Sequence, residues 1–410
     1  MTAIADLPDI RPSLLLDFAN SGRVDPRIEC TRASSATCFG PDGKLRTVPA
    51  NVPRIDYDPA TGKCLGLLVE EARRNLLRQP SMLSDTAWVK SDVLVKPSDT
   101  QNALGLDFIK LTPISGTYKT INQALSTAIS DNQIVTFSVF AKAGEMNTIR
   151  LGFRDKANYI TAGHFNLLTG EASRQEITGK YLGDGWWRVA LSGTDVSSGS
   201  AKPLVHIYSI NNGDVTTPGD GVSGLYIAAP QLELGAYATS YIPTEGTAVT
   251  RAADAVSIAL TLSGGGGALV MSGSVAASAP NSFMFPVRAR GVGLPSAYIG
   301  VPYVVVGGTF VSRNGYLRNA GSAKSVAVPG AAIPFSEIFK AVISWDASTM
   351  RVGINGASVT VGHSQDAPDC THIDLMTATH GGSVLGAGHV ARVAAYNALL
   401  TTTQVQRLTA

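Results

Sequence analysis

Apolar and polar side chains alternate with a period of two along most of this chain, and that alternation predicts strands. Ile134 to Lys142 reads IVTFSVFAK before Ala143-Gly144-Glu145 interrupts it, the pattern of a half-buried strand whose successive side chains point to opposite faces. Thr148 to Phe153, Trp186 to Leu191, Leu204 to Ile210 and Leu225 to Leu234 repeat it. Turn chemistry punctuates the runs at Pro41-Asp42-Gly43-Lys44, Ala60-Thr61-Gly62-Lys63, Gly183-Asp184-Gly185 and Asn355-Gly356, the last a type I′ hairpin signal. Helical periodicity is absent until the C-terminus, where Thr401 and Gln404 stand at capping-box spacing. The predicted fold class is all-β: two tandem antiparallel β-sandwiches of jelly-roll type, preceded by a small N-terminal β attachment element.

The same punctuation divides the chain into 1–78, 79–250 and 251–410. Strands in the first part are few and only modestly apolar, so that part needs a neighbour to cover it. Gly221 to Asp254 is predicted to close the middle unit and then cross to the last one as a pinned loop. Pro230 belongs at a strand edge or bulge and Gly235 ends the strand, while Tyr237, Tyr241 and Pro243 suit a segment packed on a surface better than a free linker. Gly264 to Gly267 reads as a flexible hairpin tip, since it lacks the Lys-Ser/Thr and helix of a phosphate loop.

Composition narrows the partners. With 410 residues, 16% of them charged, and a net charge of +2, the chain generates no field that would gather nucleic acid. The N-terminus MTAIADLPDI lacks the basic and apolar regions of a secretory signal, and Leu14-Leu15-Leu16 is too short to span a bilayer. Folding in a cytosol without membrane insertion is therefore expected. Cys30, Cys38, Cys64 and Cys370 form no C-x-x-C pair; buried free thiols are the first reading, with a Cys30–Cys38 or Cys30–Cys64 bridge as the alternative.

The run RASSATCFGPDGKLRTVPANVPRIDYDPATGKCLGLLVEEARRNLL, Arg32 to Leu77, is similar to a segment found in many tailed-phage virion proteins and gene-transfer-agent-like particles. There, TRAS-x-AT-x-F-x-x-DG-x-L precedes VPR-x-DYDP-x-TG and GLL-x-E-x-x-R-x-NLL; Cys38 and Cys64 stand outside the pattern. VTFSVFAKAG, FNLLTGE, GDGWWRV and SGLYIAAPQLELG resemble strands of jelly-roll carbohydrate-binding modules, while SWDAS, VGINGASV and the C-terminal tail resemble a laminin-G/concanavalin-like sandwich. The resemblance implies a non-enzymatic structural virion protein, of fibre, spike or tail-tip type. Its N-terminal element would dock on other virion subunits, and its sandwiches would adhere to host cell-surface polysaccharide. It further implies assembly in the host cytoplasm, display on the particle's outer surface and a homotrimer. Two other readings stay open: a purely structural decoration or tail component contacting only virion proteins, and a capsule polysaccharide depolymerase.

Candidate chemistry follows from that expectation. A pyranose presents a flat C–H face on which an exposed aromatic can stack, which singles out Trp88, Tyr118, Tyr159, Trp186 and Tyr208. Adjacent Trp186 and Trp187 must point to opposite faces, so one of them is expected in the core, and Trp88 is expected to pack inward. No catalytic residues are assigned, because turn aspartates normally satisfy local backbone N–H groups. No cofactor is implied; the one candidate ion is a structural Ca²⁺ held by loop carboxylates, with Asp214, Asp220 and Glu233 as its ligands. His363, His372, His380 and His389 recur near Asp366, Asp369 and Cys370, but without the short spacing that marks a metal motif. No Ser-His-Asp arrangement is readable from sequence order.

Overall fold

The computed structural model describes residues 10–410 except 79–84, 99–100, 117, 127–128, 131–132, 155–158, 195–203, 211–217, 279–282, 292–297, 302, 307–308, 311–313, 320–321, 329–337, 365 and 379–385. Within these residues the alternating runs become strands paired antiparallel throughout. Ile134–Lys142 pairs with Trp186–Thr194 on one side and Leu225–Leu234 on the other. Its Val135, Phe137, Val139 and Ala141 all enter one core, as a period of two requires.

That strand is central to a six-stranded sheet ordered Ile177–Gly183, Trp186–Thr194, Ile134–Lys142, Leu225–Leu234, Ile109–Pro113, Val93–Pro97. Facing it is a five-stranded sheet ordered Tyr159–Asn166, Thr148–Arg154, Leu204–Ile210, Thr120–Ala124, Val89–Ser91. Together they form a sandwich whose core runs from Leu76 to Leu232 without help from the rest of the chain. Pro230 sits where it was expected: the register against Ile134–Lys142 shifts between Ser138 and Phe140, and Ala229 adopts φ 46°.

The second sandwich corrects the expected three-part order. Residues 1–78 do not stand apart as an attachment element. Leu14–Asp17, Arg54–Tyr57 and Cys64–Glu70 are strands of an eight-stranded sheet with Gly266–Ser278, Ile338–Asp346 and Gly386–Tyr396. Ile28–Thr31 pairs with Ala255–Leu262 in the opposing nine-stranded sheet. Leu14, Leu16, Phe18, Leu67 and Val69 share one core with Val256, Ile258, Met271, Val393 and Trp345. The physical reason is that short strands of modest apolar content cannot cover themselves, and unpaired sheet edges take them up. The chain therefore builds part of a base, inserts a complete sandwich, and returns to finish the base.

Gly66 marks the tightest step of that assembly. It lies at φ 110°, and a Cβ there would collide with the Val390 carbonyl, so only glycine lets Cys64–Glu70 approach Gly386–Tyr396. The glycine run at 264–267 also differs from expectation. Gly266 and Gly267 begin a strand, and a Cβ on Gly267 would lie 2.8 Å from the buried Trp345 ring. Asn355 and Gly356 turn at φ 45° and 85°, and helix Thr402–Thr409 starts from the capping box of Thr401 and Gln404. All four cysteines are free thiols, and burial pushes Cys38 and Cys370 up to about 12.

Candidate functional site

The connection between base and insert concentrates the buried charge of the molecule. The chain leaves the base at Glu70 and returns at Asp254, and the outgoing Arg73–Asn75 pairs with the incoming Val249–Arg251 as a short antiparallel ribbon. Asp254 receives Arg32 Nη1 at 2.7 Å on one oxygen, and Arg54 Nη2 at 2.5 Å and the Glu70 N–H at 2.9 Å on the other. Glu70 receives Arg54 at 2.9 Å, Arg251, and both the N–H and hydroxyl of Ser240 at 2.7 and 2.6 Å. All of these charged side chains are at most 3% exposed.

Such a cluster survives burial only because every charge has partners. Burial alone would raise the Glu70 carboxyl, but the Arg251 and Arg54 guanidiniums and the Ser240 hydrogen bonds outweigh it and hold the group well below the usual carboxylate range. Burial would lower Arg54 in the same way, and Glu70 and Asp254 reverse that. A second pair lies beside the first: Arg73 bonds Glu71 and covers the Tyr237 ring at 4.6 Å, and the Tyr237 hydroxyl donates to Glu71 at 2.5 Å.

The crossing loop is pinned along its length, as its tyrosines and proline predicted. Thr37 Oγ1 of the base donates to the Tyr241 carbonyl at 2.6 Å, Asn75 Nδ2 to the Ile242 carbonyl at 2.9 Å, and Thr244 Oγ1 to the Leu77 carbonyl at 2.7 Å. An apolar cluster completes the junction. Phe39 and Leu45 from the base hairpin Ala36–Phe39/Leu45–Val48 pack on Leu104, Phe140, Leu182, Trp186 and Tyr241 of the insert. Motif residues Arg32, Arg54, Glu70, Arg73 and Asn75 thus form a clasp. Sequence reading recognised the motif without its purpose, because the partners Ser240, Arg251 and Asp254 lie far along the chain.

The predicted sugar-stacking residues divide. Trp88, Trp186 and Tyr208 are buried. Trp88 fills the insert's core as expected, Trp186 lies under the base hairpin, and Tyr208 is stacked on His206 at 5.8 Å and covered by Arg150 at 5.1 Å. Burial removes the open face that a sugar needs, which corrects all three as stacking residues, although the inward packing of Trp88 was itself expected. Tyr118 is 63% exposed. Tyr159 lies on a strand, and its side chain falls outside the described residues. Tyr181, 45% exposed, is the aromatic that sequence reading missed. The Asp184-Gly185 turn signals that Tyr181 and Trp187 face each other, and carries no signal of the exposure of Tyr181.

The proposed Ca²⁺ ligands do not converge. Asp220 precedes Leu225–Leu234 and Glu233 lies near its far end, ~30 Å away at about 3.3 Å per residue. Asp220 closes its own turn through the Ser223 hydroxyl and the Val222 and Ser223 N–H groups, which lower it to about 2. Glu233 is buried and accepts from Gln231, the Thr239 N–H and the Thr239 hydroxyl. Asp214 lies outside the described residues, and among the described residues no group of three His, Cys, Asp or Glu side chains could hold a metal.

One constellation was not foreseen. Asp56 Oδ2 lies 2.8 Å from His389 Nε2, and His389 Nδ1 lies 3.5 Å from Ser274 Oγ. Its surroundings argue for structure. Asp56 also accepts from the Phe39 N–H at 2.7 Å, which ties down the base hairpin. Ser274 sits on a strand laddered on both sides, so its backbone provides no oxyanion donor. His363 and His372 lie elsewhere on the base, and His380 is outside the described residues.

No protein-family model matches the sequence, and no curated protein matches it. Similar solved structures include the CBM40 of a Ruminococcus gnavus IT-sialidase bound to α2,3-sialyllactose, at 16% identity, 35% of this chain, 83% of that one and TM-score 0.29. The tandem CBM22-1-CBM22-2 of Paenibacillus barcinonensis Xyn10C has 9% identity, 79% and 96% coverage and TM-score 0.24. Mouse laminin α1 domains LG4-5 have 12% identity, 70% and 92% coverage and TM-score 0.23. Carbohydrate-binding modules and laminin G domains are thus the neighbours, and sialidase enzymes occur among the matches. Scores at this level carry no argument about function. The all-β sandwich architecture stands on the strand pairing itself.

Proposed function

We propose that this chain is a non-enzymatic adhesion protein of a tailed-phage or phage-like particle. In this reading the base docks on other virion subunits, and the inserted sandwich contacts host cell-surface polysaccharide. The observation that carries the reading is the clasp. The virion-like segment Arg32 to Leu77 supplies Arg32, Arg54 and Glu70 to it, and its buried ion pairs hold the insert at a fixed angle to the base. A rigid mount suits multivalent binding: weak sugar contacts gain factors of about 10² to 10⁴ when linked copies engage together. A homotrimer is the assembly proposed with it.

The test applies the full chain to an array of bacterial surface polysaccharides, with light scattering for oligomeric state. Binding, and a mass of three chains, are the expected results. Absence of binding to any polysaccharide would favour the purely structural decoration role. Shortening of polysaccharide chains by the purified protein would replace adhesion with depolymerase activity.

A further inference from the structure

We infer that Tyr181 and Trp187 form a sugar-stacking rim on the insert that takes a neutral pyranose unit; this rests on the glycan-adhesion reading above. Tyr181 lies on the edge strand Ile177–Gly183, directly opposite Trp187. Their ring centroids are 5.1 Å apart at 63°, and Trp187 repeats that edge-on contact with the buried Phe165 at 5.2 Å and 63°. A chain of aromatics therefore runs from the core to the surface. Trp187 Nε1 donates to the Leu167 carbonyl at 2.9 Å, and the Tyr181 hydroxyl accepts the Gly185 N–H at 3.3 Å. The exposed ring is held at both ends before any ligand arrives, so a sugar stacking on it adds little ordering cost.

Composition of the rim favours a sugar over an apolar partner. Tyr118, the other exposed aromatic among the described residues, is tied through its backbone N–H to Asp92 at 2.9 Å and has no aromatic partner among them. Beside Trp187 the hairpin tip Leu168 to Gly170 closes tightly, since a Cβ on Gly170 would lie 2.9 Å from the indole. Thr169 donates to the Glu171 carboxylate at 3.0 Å next to that tip, and Asp184, in the turn that fixes the Tyr181 hydroxyl, pairs with Lys142 at 3.0 Å. Carboxylates accept hydrogen bonds from sugar hydroxyls, and Lys142 balances Asp184, so these groups offer acceptors without a net positive charge to draw an acidic sugar, which suits a neutral ring.

The test measures binding of the full chain to neutral and acidic polysaccharides, with Tyr181→Ala, Tyr181→Phe and, at an exposed position outside the rim, Val222→Ala as variants and thermal melts confirming that each folds. Tyr181→Ala is expected to lose at least tenfold in affinity for neutral polysaccharide. Tyr181→Phe should stay within about threefold, and Val222→Ala should match the parent. Trp88, Trp186 and Trp345 are buried, so a fluorescence change on binding reports Trp187 and should disappear in Tyr181→Ala. If the parent binds polysaccharide and Tyr181→Ala binds equally well, the inference fails while adhesion stands. Binding confined to acidic polysaccharides overturns the ligand class. A parent that binds no polysaccharide removes both.

Discussion

Base and insert are both antiparallel sandwiches, yet they are assembled from the chain in opposite ways. The insert's core is drawn from one continuous stretch, Leu76 to Leu232. The base gathers its core from Leu14 to Val69 and again from Val256 to Ala395. Local closure lets the insert form before the base is complete, whereas the base must wait for contacts across more than 300 residues, such as Leu16 with Val393. The clasp lies where the two modes meet. It ties the outgoing and returning strands together, so the base holds the insert only once the chain has returned through Arg251 and Asp254.

The sharpest way to break the comparison is to delete residues 1–31. This removes Leu14, Leu16 and Phe18 from the core and the strands Leu14–Asp17 and Ile28–Thr31 from opposite sheets. At about 1.5–3 kcal/mol per buried large apolar side chain, most of a domain's usual stability disappears. Calorimetry should show the base transition lost and the insert's transition retained. Loss of both would mean that the insert depends on the base.

Glu70→Ala comes next. Leaving Arg54 and Arg251 buried without their shared carboxylate should cost about 3–5 kcal/mol in denaturant unfolding of the base. Limited proteolysis between Thr239 and Ala252 should rise in step. An effect below about 1 kcal/mol would show that the clasp does not hold the junction.

Acid should act on the same group. Glu70 titrates in the folded protein below its ordinary value of 4.5, so its contribution is complete above about pH 4.5 and drains as pH falls further. The melting temperature of the parent should fall more steeply below pH 4.5 than that of Glu70→Gln, which carries no titrating group there.

Tyr237→Phe deletes the hydroxyl bond to Glu71 while keeping the ring under Arg73, and should cost about 1 kcal/mol. Smallest of all is Tyr118→Ala, expected within about 0.5 kcal/mol of the parent, since its exposed ring lies outside both cores. Chemical denaturation resolves both.

Strands, turns and the class of fold were legible in the sequence because they depend on neighbours a few residues apart. The period-two run Ile134 to Lys142, the bulge at Pro230, the Asn355-Gly356 turn and the Thr401 capping box are local agreements between side chain and backbone, and each appears in the structure. The pinned crossing was legible too, from Tyr237, Tyr241 and Pro243. Reading exposure was harder. Nothing local separates Tyr208, covered by Arg150, from Tyr181, which remains open, because exposure is decided by chain elements distant in sequence.

Tertiary structure alone decided that the strands between Leu14 and Glu70 complete the last sandwich and that the motif's charges serve as a clasp. Arg54 meets Asp254 across 200 residues, a pairing that no period or spacing encodes. Unpaired strand edges and buried charges impose such long-range solutions: each must find a partner somewhere in the fold, and the sequence states the need without saying where it is met.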